Sequence, residues 1–195
     1  MPGMNGFEQQ LRTWRSALDA GAQRVGWKIA LGLVDGQEEP QLGHLTSATR
    51  IEDGGSYAPR RDRELRAEAE LAVVVGAGYA GAIELVDVGC PPSDLESIVA
   101  ANVFHRAFVL GPTRPAPPER IRMTVAGAVH EPDRTGEDPE AMLAAAARHL
   151  AAVGERLEPG DVLITGSVIH VPAAPGDLVE LEMGALGRLS VRIAP

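Results

Sequence analysis

The chain has 195 residues, of which 45% are hydrophobic and 23% charged; this composition builds one sizeable core and excludes wholesale disorder. Its formal charge of -9 argues against nucleic acid or an anionic membrane as partner, because either favours a basic face. With no apolar run near the roughly eighteen residues of a membrane span and no charged-then-apolar leader, the expectation is a soluble, cytoplasmic protein. The single cysteine, Cys90, excludes an internal disulfide or a multi-cysteine metal cluster and is read as a small apolar residue.

Residues 6–22 carry Phe7, Leu11, Trp14 and Leu18 on one helical face, predicting an amphipathic helix. A strand over 25–31, "VGWKIAL", alternates so that Val25, Trp27, Ile29 and Leu31 share one face while Gly26, Lys28, Ala30 and Gly32 share the other. The arginine-rich stretch 59–66 reads as a solvated loop leading into a strand over 68–75. There Glu68, Glu70, Ala72 and Val74 share a face. Strands follow over 82–88 and 106–110, then a proline-rich surface connector over 111–120, then 121–130 with a turn near Ala126 and Gly127. A second helix spans about 139–156, with Asp138 as N-cap and Pro139 at its first position. The C-terminal part repeats "EPGD" and "APGD" turns, each leading into a strand, and "GRLSVRIA" supplies one more. These elements predict a single domain over 1–195, a mixed α+β and mainly β chain.

Two features carry chemistry. Of eighteen cationic side chains, Lys28 is the one lysine, and lysine, unlike arginine, can lose its proton near neutral pH and serve as acid or base. Its small neighbours suit an amine in a cavity, although a lysine on a wetted strand face has the same pattern. Glu68 and Glu70 are the second feature. Two carboxylates at the mouth of an apolar strand imply either a wetted end or a bound cation, and a hard divalent ion would want a third oxygen ligand from elsewhere.

The blocks "VGWKIAL", "EPQLGHLTS", "LRAEAELAVVVG", "AIELVDVG", "IVAANVFHRAFVLG" and "LEPGDVLITGSVIHVPAAPGDLVELEMGALGRLSVRI" resemble, in order, those of the 2-oxopent-4-enoate hydratase / 4-oxalocrotonate decarboxylase family of the fumarylacetoacetate hydrolase superfamily. The resemblance runs over about residues 24–193 and implies a β-roll or distorted barrel with flanking helices. It also implies Mg²⁺ or Mn²⁺ held by Glu68, Glu70 and Glu84, an active-site Lys28, a pocket-lining turn with Thr165, Gly166 and Ser167, and a homo-oligomer acting on a small 2-oxo acid. Several features depart from the family pattern: a shorter region before the first block, a shorter segment between Glu70 and Glu84, Gln41 where an aspartate is usual, and Val103, Phe104, His105 and Arg106 after Asn102 in place of a hydroxyl-rich run. A changed substrate is the simplest reading of a rewritten shell around a retained cradle.

The reaction implied is that of a lyase, a hydratase or decarboxylase working through a metal-stabilised enolate, with the pKa of Lys28 lowered by confinement beside the cation so that it moves protons on and off carbon. An acylpyruvate hydrolase is an alternative; it needs a histidine with a carboxylate partner, and no convincing pair is visible in the chain. A recruited biosynthetic isomerase or cyclase, or a non-catalytic subunit, is a third. His44, His105 and His170 are the candidate extra acids or bases, though a histidine so placed is more often a packing or surface residue, and His130 and His149 read as structural or solvated.

Overall fold

A computed structural model describes residues 6–37, 39–60, 63–87, 94–133 and 136–195; Cys90 lies outside them. In chain order the elements are α1 (Gly6–Asp19), β1 (Arg24–Ala30), β2 (Gln41–Thr46), β3 (Arg50–Ile51), β4 (Ser56–Tyr57), β5 (Leu65–Val74), β6 (Gly78–Asp87), α2 (Leu95–Ala100), β7 (His105–Leu110), β8 (Arg122–Val125), β9 (Ala128–His130), α3 (Pro139–Ala151), β10 (Val162–Pro172), β11 (Leu178–Glu182) and β12 (Arg188–Ile193). Seven strands form a curled, half-barrel sheet in the order β2-β1-β10-β5-β6-β7-β3, and five form a second sheet in the order β4-β12-β11-β8-β9. This is the mixed, mainly β architecture that the sequence predicts. Among the described residues no helix is long and apolar enough to cross a membrane.

The period-two patterns explain how the layers meet. On β5, Leu65, Ala67 and Ala69 pack with Ile83 and Leu85 of β6 against Met123, Val179, Leu181, Val191 and Ile193 of the second sheet. The alternate residues therefore point into the curl, where Ala72 and Val74 meet Leu45, Ala82, Phe108 and Ile164 in an apolar floor. On the outer side of β1, Trp27 and Ile29 join Leu11 and Trp14 of α1 and Met142, Ala146 and Leu150 of α3. Leu31, expected on that buried face, lies past the end of β1 and is 37% exposed.

Both helices end before their predicted limits. α1 stops at Asp19 ahead of Gly21, whose φ is +98°, and α3 stops at Ala151 ahead of Gly154, at +76°; glycine in this conformation terminates a helix. The Asp138 carboxylate accepts from the Glu140 amide at 3.1 Å, with Pro139 opening the helix as predicted. In both Pro-Gly-Asp turns the glycine has positive φ (Gly160 +89°, Gly176 +97°) and the aspartate accepts from the amide three residues back, Glu158 or Ala174, at 2.8 Å. Asp161 also pairs with Arg24 (Nε to Oδ1, 2.9 Å), whose guanidinium lies 5.7 Å from the ring centroids of both Trp14 and Trp27. The turn, β1 and α1 are thereby tied together. The proline-rich connector is mostly exposed and carries the chain from the first sheet to the second, bridged to Tyr79 through Arg114.

Four elements lie outside the expected set: β2, the short helix α2 and the two-residue strands β3 and β4. The first two are held by a side chain on α1. Gln10 is fully buried and its amide donates to the carbonyls of Leu42 on β2 (2.7 Å) and Val99 on α2 (2.8 Å). Gly26 marks the tightest backbone approach between β1 and β10, because a Cβ there would lie 2.0 Å from the Val162 carbonyl oxygen, at a φ of +148°. Gly26→Ala is therefore expected to destabilise the fold by roughly 3 kcal/mol, lowering the thermal midpoint by about 10 °C in a melting experiment.

Candidate metal and acid-base centre

The three acidic residues of the resemblance come together through register. Glu68 on β5 stands directly opposite Glu84 on β6, and Glu70 follows two residues along the same face. One oxygen from each carboxylate lies within 4.8 Å of the others. Burial is severe: Glu70 is 2% exposed and Glu84 fully buried. Lys28, 4% exposed, reaches in from β1; its Nζ donates to Glu84 Oε1 at 2.8 Å and to the Val103 carbonyl at 3.2 Å.

The electrostatics follow from this crowding. Burial, then Glu68 and Glu84, hold the Glu70 carboxyl well above the ordinary carboxylate range. Glu84 is buried as well, but the Lys28 ammonium and the His105 hydrogen bond outweigh that burial and hold its pKa below the usual value. Burial pulls on Lys28 in the opposite sense to its neighbours: desolvation favours the free amine, while Glu84, Glu68 and Glu70 favour the ammonium and prevail, leaving its pKa above the ordinary lysine value. This is the balance in the cation-free protein, where confinement brings three acidic groups with it; the depressed amine expected from sequence belongs to the site with its cation bound.

The residues present fit a divalent cation. Fully ionised, three carboxylates and one ammonium would carry two uncompensated negative charges in a nearly dry site, a costly arrangement without a counter-ion. Two carboxylate oxygens, Glu70 Oε2 and Glu84 Oε2, are buried with no hydrogen-bond partner among the described residues. Hard oxygen donors of this kind suit Mg²⁺ or Mn²⁺.

The expected Thr-Gly-Ser turn is instead a bulged stretch inside β10, with register shifts on both sides of Ser167 against β5. The bulge turns the Gly166 amide toward Glu70, which accepts its hydrogen bond, and glycine is required there by a φ of +114°. Thr165 and Ser167 both line the cavity, with their hydroxyls donating to the carbonyls of Leu71 (2.9 Å) and Ile169 (2.7 Å).

Two histidine–carboxylate pairs, invisible in the sequence, also appear. His170 on β10 lies opposite Glu68 and its Nδ1 donates to Glu68 Oε1 at 2.5 Å. His105, at the start of β7, donates from Nδ1 to Glu84 Oε1 at 2.7 Å, while Nε2 meets the Thr49 hydroxyl at 2.9 Å. Burial holds the His105 pKa below its usual value despite Glu84, so a neutral ring with Nδ1–H aimed at Glu84 satisfies both contacts. His105 thus orients Glu84, whereas His170 lines the cavity itself. His130 sits in β9, and His149 on α3 lies 3.9 Å from Glu39.

The rewritten run after Asn102 shapes one wall. Asn102, Val103 and Phe104 all adopt left-handed backbone (φ +62°, +52° and +62°), a conformation costing about 1–3 kcal/mol each for such residues. The Asn102 side chain stabilises the turn by clamping the His44 backbone, accepting from its amide at 2.7 Å and donating to its carbonyl at 3.0 Å. Gly43 is confined between this clamp and Lys28: a Cβ there would lie 2.7 Å from Lys28 Cγ.

His44 itself is buried, and desolvation, with some repulsion from His105, lowers its pKa to about 4. An unfolded imidazole takes up its proton near pH 6.5 and the folded one only near about 4. Acid therefore favours the unfolded chain as pH falls through that window, with about 3 kcal/mol of stability lost from this residue by pH 4. Urea unfolding at pH 7 and pH 4.5 is expected to show a smaller acid loss in His44→Gln than in the wild type.

No protein-family model matches the chain. It is 29% identical over 189 residues to a 4-oxalocrotonate decarboxylase from Pseudomonas putida, covering 80% of this chain and 70% of the relative. The structure of 4-oxalocrotonate decarboxylase from Pseudomonas putida G7, complexed with magnesium and adipate, superposes with a TM-score of 0.81 at 24% identity, over 96% of this chain and 84% of that one. A fumarylpyruvate hydrolase from Pseudomonas aeruginosa in complex with Mn²⁺ and pyruvate has a TM-score of 0.57 at 19% identity, over 80% of this chain and 79% of that one. A 5-carboxymethyl-2-hydroxymuconate delta-isomerase from Mycobacterium smegmatis reaches 0.60 at 18%, over 89% and 78%. The chain is similar in sequence to 4-oxalocrotonate decarboxylase and shares the fumarylacetoacetate hydrolase-like fold of these structures.

Proposed function

We propose that the protein is a divalent-metal-dependent lyase acting on a 2-oxo acid through an enolate, of the hydratase or decarboxylase type. The observation that carries this reading is the buried cluster of Glu68, Glu70 and Glu84 beside one ammonium, with two carboxylate oxygens left without partners. The relative's decarboxylase activity and its magnesium complex support it. Glu68, Glu70 and Glu84 would hold Mg²⁺ or Mn²⁺, which supplies Lewis-acid stabilisation of charge developing on a 2-oxo acid's keto oxygen.

The chain's own groups do the rest. Glu84, fixed by Lys28 and His105 on one oxygen, presents the other to the cluster. Lys28 has three N–H donors; two are engaged by Glu84 and Val103, and the third is available to the cavity that the residue lines. An ammonium so placed can deliver a proton to substrate carbon, and the free amine that remains can take one back in the reverse sense. A 2-oxo acid bound here lies between Lys28 and the Glu68–His170 pair, with Thr165 and Ser167 on the cavity wall between them.

A second reading is favoured by one observation. His170, paired with Glu68 and lining the cavity, is the kind of histidine–carboxylate couple that activates water for carbon–carbon hydrolysis of an acylpyruvate. Release of pyruvate from an acylpyruvate, lost in His170→Ala, would favour hydrolysis over the lyase reaction.

Ultraviolet spectroscopy on a panel of 2-oxo-dienoates and 2-oxo-enedioates, with and without Mg²⁺ or Mn²⁺, tests the lyase reading; metal-dependent loss of the conjugated chromophore is the expected outcome, and silence across the panel with metal bound would sink it. Lys28→Ala is expected to lower turnover by about 10²–10⁴-fold while calorimetry shows metal binding at least as tight as in wild type, because a cation repelling the metal has gone. Glu70→Gln removes a carboxyl whose ionisation burial and the neighbouring Glu68 and Glu84 oppose, so its melting point without metal should be no lower than that of the wild type. Wild type should gain about 2.7 kcal/mol at a metal concentration 100 times Kd, and Glu70→Gln should lose most of that gain.

A further inference from the structure

The cavity at the site holds about 340 Å³, room for more than a three-carbon head group. Glu68, Glu70 and Lys28 line it, and Leu31, Leu33, Phe104 and Met142 provide apolar lining. Leu31 is one of the two large hydrophobic residues left exposed among the described residues. An exposed leucine beside a half-buried Phe104 and Leu33 at a cavity is apolar surface that a ligand can cover. The left-handed backbone at Val103 and Phe104 holds the aromatic ring at this wall, and strain retained at a site is a mark of use.

The polar inventory points the same way. Among the described lining residues the one lysine or arginine is Lys28, already engaged by Glu84 and Val103, and the ring Nδ1 of His170 is taken by Glu68. Glu137, exposed, adds a further carboxylate to the lining, its Cγ near the bulge at Gly166. A second substrate carboxylate placed against these apolar side chains would lose hydration, with no described lysine or arginine beside them to replace the lost water.

We propose that the site takes a 2-oxo monocarboxylic acid with an extended apolar tail lying on Leu31, Leu33, Phe104 and Met142, and that it disfavours 2-oxo diacids. This rests on the 2-oxo acid reading above. The distinction bears on the reaction, because a substrate without a distal carboxylate can be hydrated or tautomerised but has no such group to lose as carbon dioxide.

Isothermal titration of the Mg²⁺-loaded protein with pyruvate, 2-oxobutanoate, 2-oxopentanoate, 2-oxohexanoate and 2-oxoadipate tests the proposal without needing turnover. Affinity is expected to rise about three- to fourfold per methylene, and 2-oxohexanoate to bind at least about tenfold tighter than 2-oxoadipate, which has the same number of carbons. Leu31→Arg, a substitution at an exposed position, should narrow or reverse that ratio, and Phe104→Ala, with folding checked by melting, should flatten the chain-length dependence. Equal or tighter binding of 2-oxoadipate by the wild type, or affinity flat along the series, overturns the proposal while leaving the 2-oxo acid reading intact. Failure of every compound, pyruvate included, with Mg²⁺ bound overturns the 2-oxo acid reading itself.

Discussion

The contact between Lys28 and Glu84 depends on the curl of the seven-stranded sheet, and the rest of the site depends on that contact. β1 and β6 are separated by β10 and β5, three strand spacings or about 14 Å in a flat sheet. Yet the ammonium and the carboxylate are 2.8 Å apart. Strong coiling folds the inner face on itself and turns a surface of alternating side chains into a concave chamber. The same curl brings Glu68 and Glu70 toward Glu84, so attraction to one lysine and repulsion among three acids arise together. A divalent cation is the simplest means of balancing the remaining charge.

The irregularities of the sheet cluster where the chemistry is. Both register shifts of β10 against β5 flank Ser167, opposite Glu70. A third disrupts the pairing of β1 with β2 between Arg24 and Gly26, just before Lys28. The left-handed run Asn102–Phe104 supplies a carbonyl to Lys28 and a ring to the cavity. Regular strands would bury their polar groups in ladders; bulges and strained turns free an amide or a carbonyl to face inward. The helices stand outside this chamber and support it, with α1 held through Gln10 to β2 and α2 and through Trp14 to Trp27.

Much of this arrangement is legible residue by residue. Alternation alone places Trp27 and Ile29 opposite Lys28 and sets Glu68 and Glu70 on one face, because strand geometry has a period of two whatever the tertiary context. The Pro-Gly-Asp turns and the Asp138–Pro139 helix start follow from local backbone preferences in the same way. The histidine pairs are not legible. Glu68 and His170 are 102 positions apart, and only the pairing of β5 with β10 makes them neighbours. Leu31 is misread because the alternation continues for one residue past the point where the strand stops. Thr165 to Ser167 look like a turn because glycine marks positive φ equally in a turn and in a bulge.

Composition and local pattern therefore determine which residues are chemically unusual here: a solitary lysine among small neighbours, and two glutamates at the mouth of an apolar strand. What they experience is decided by the fold. Confinement beside a cation was expected to lower the Lys28 pKa; without the cation, the curl surrounds the amine with three acidic groups whose summed field exceeds the desolvation of burial. Whether a buried group gains or loses its proton depends on which charges the sheet brings within a few ångströms, and that distance is set by strand order, register and coiling rather than by neighbours along the chain.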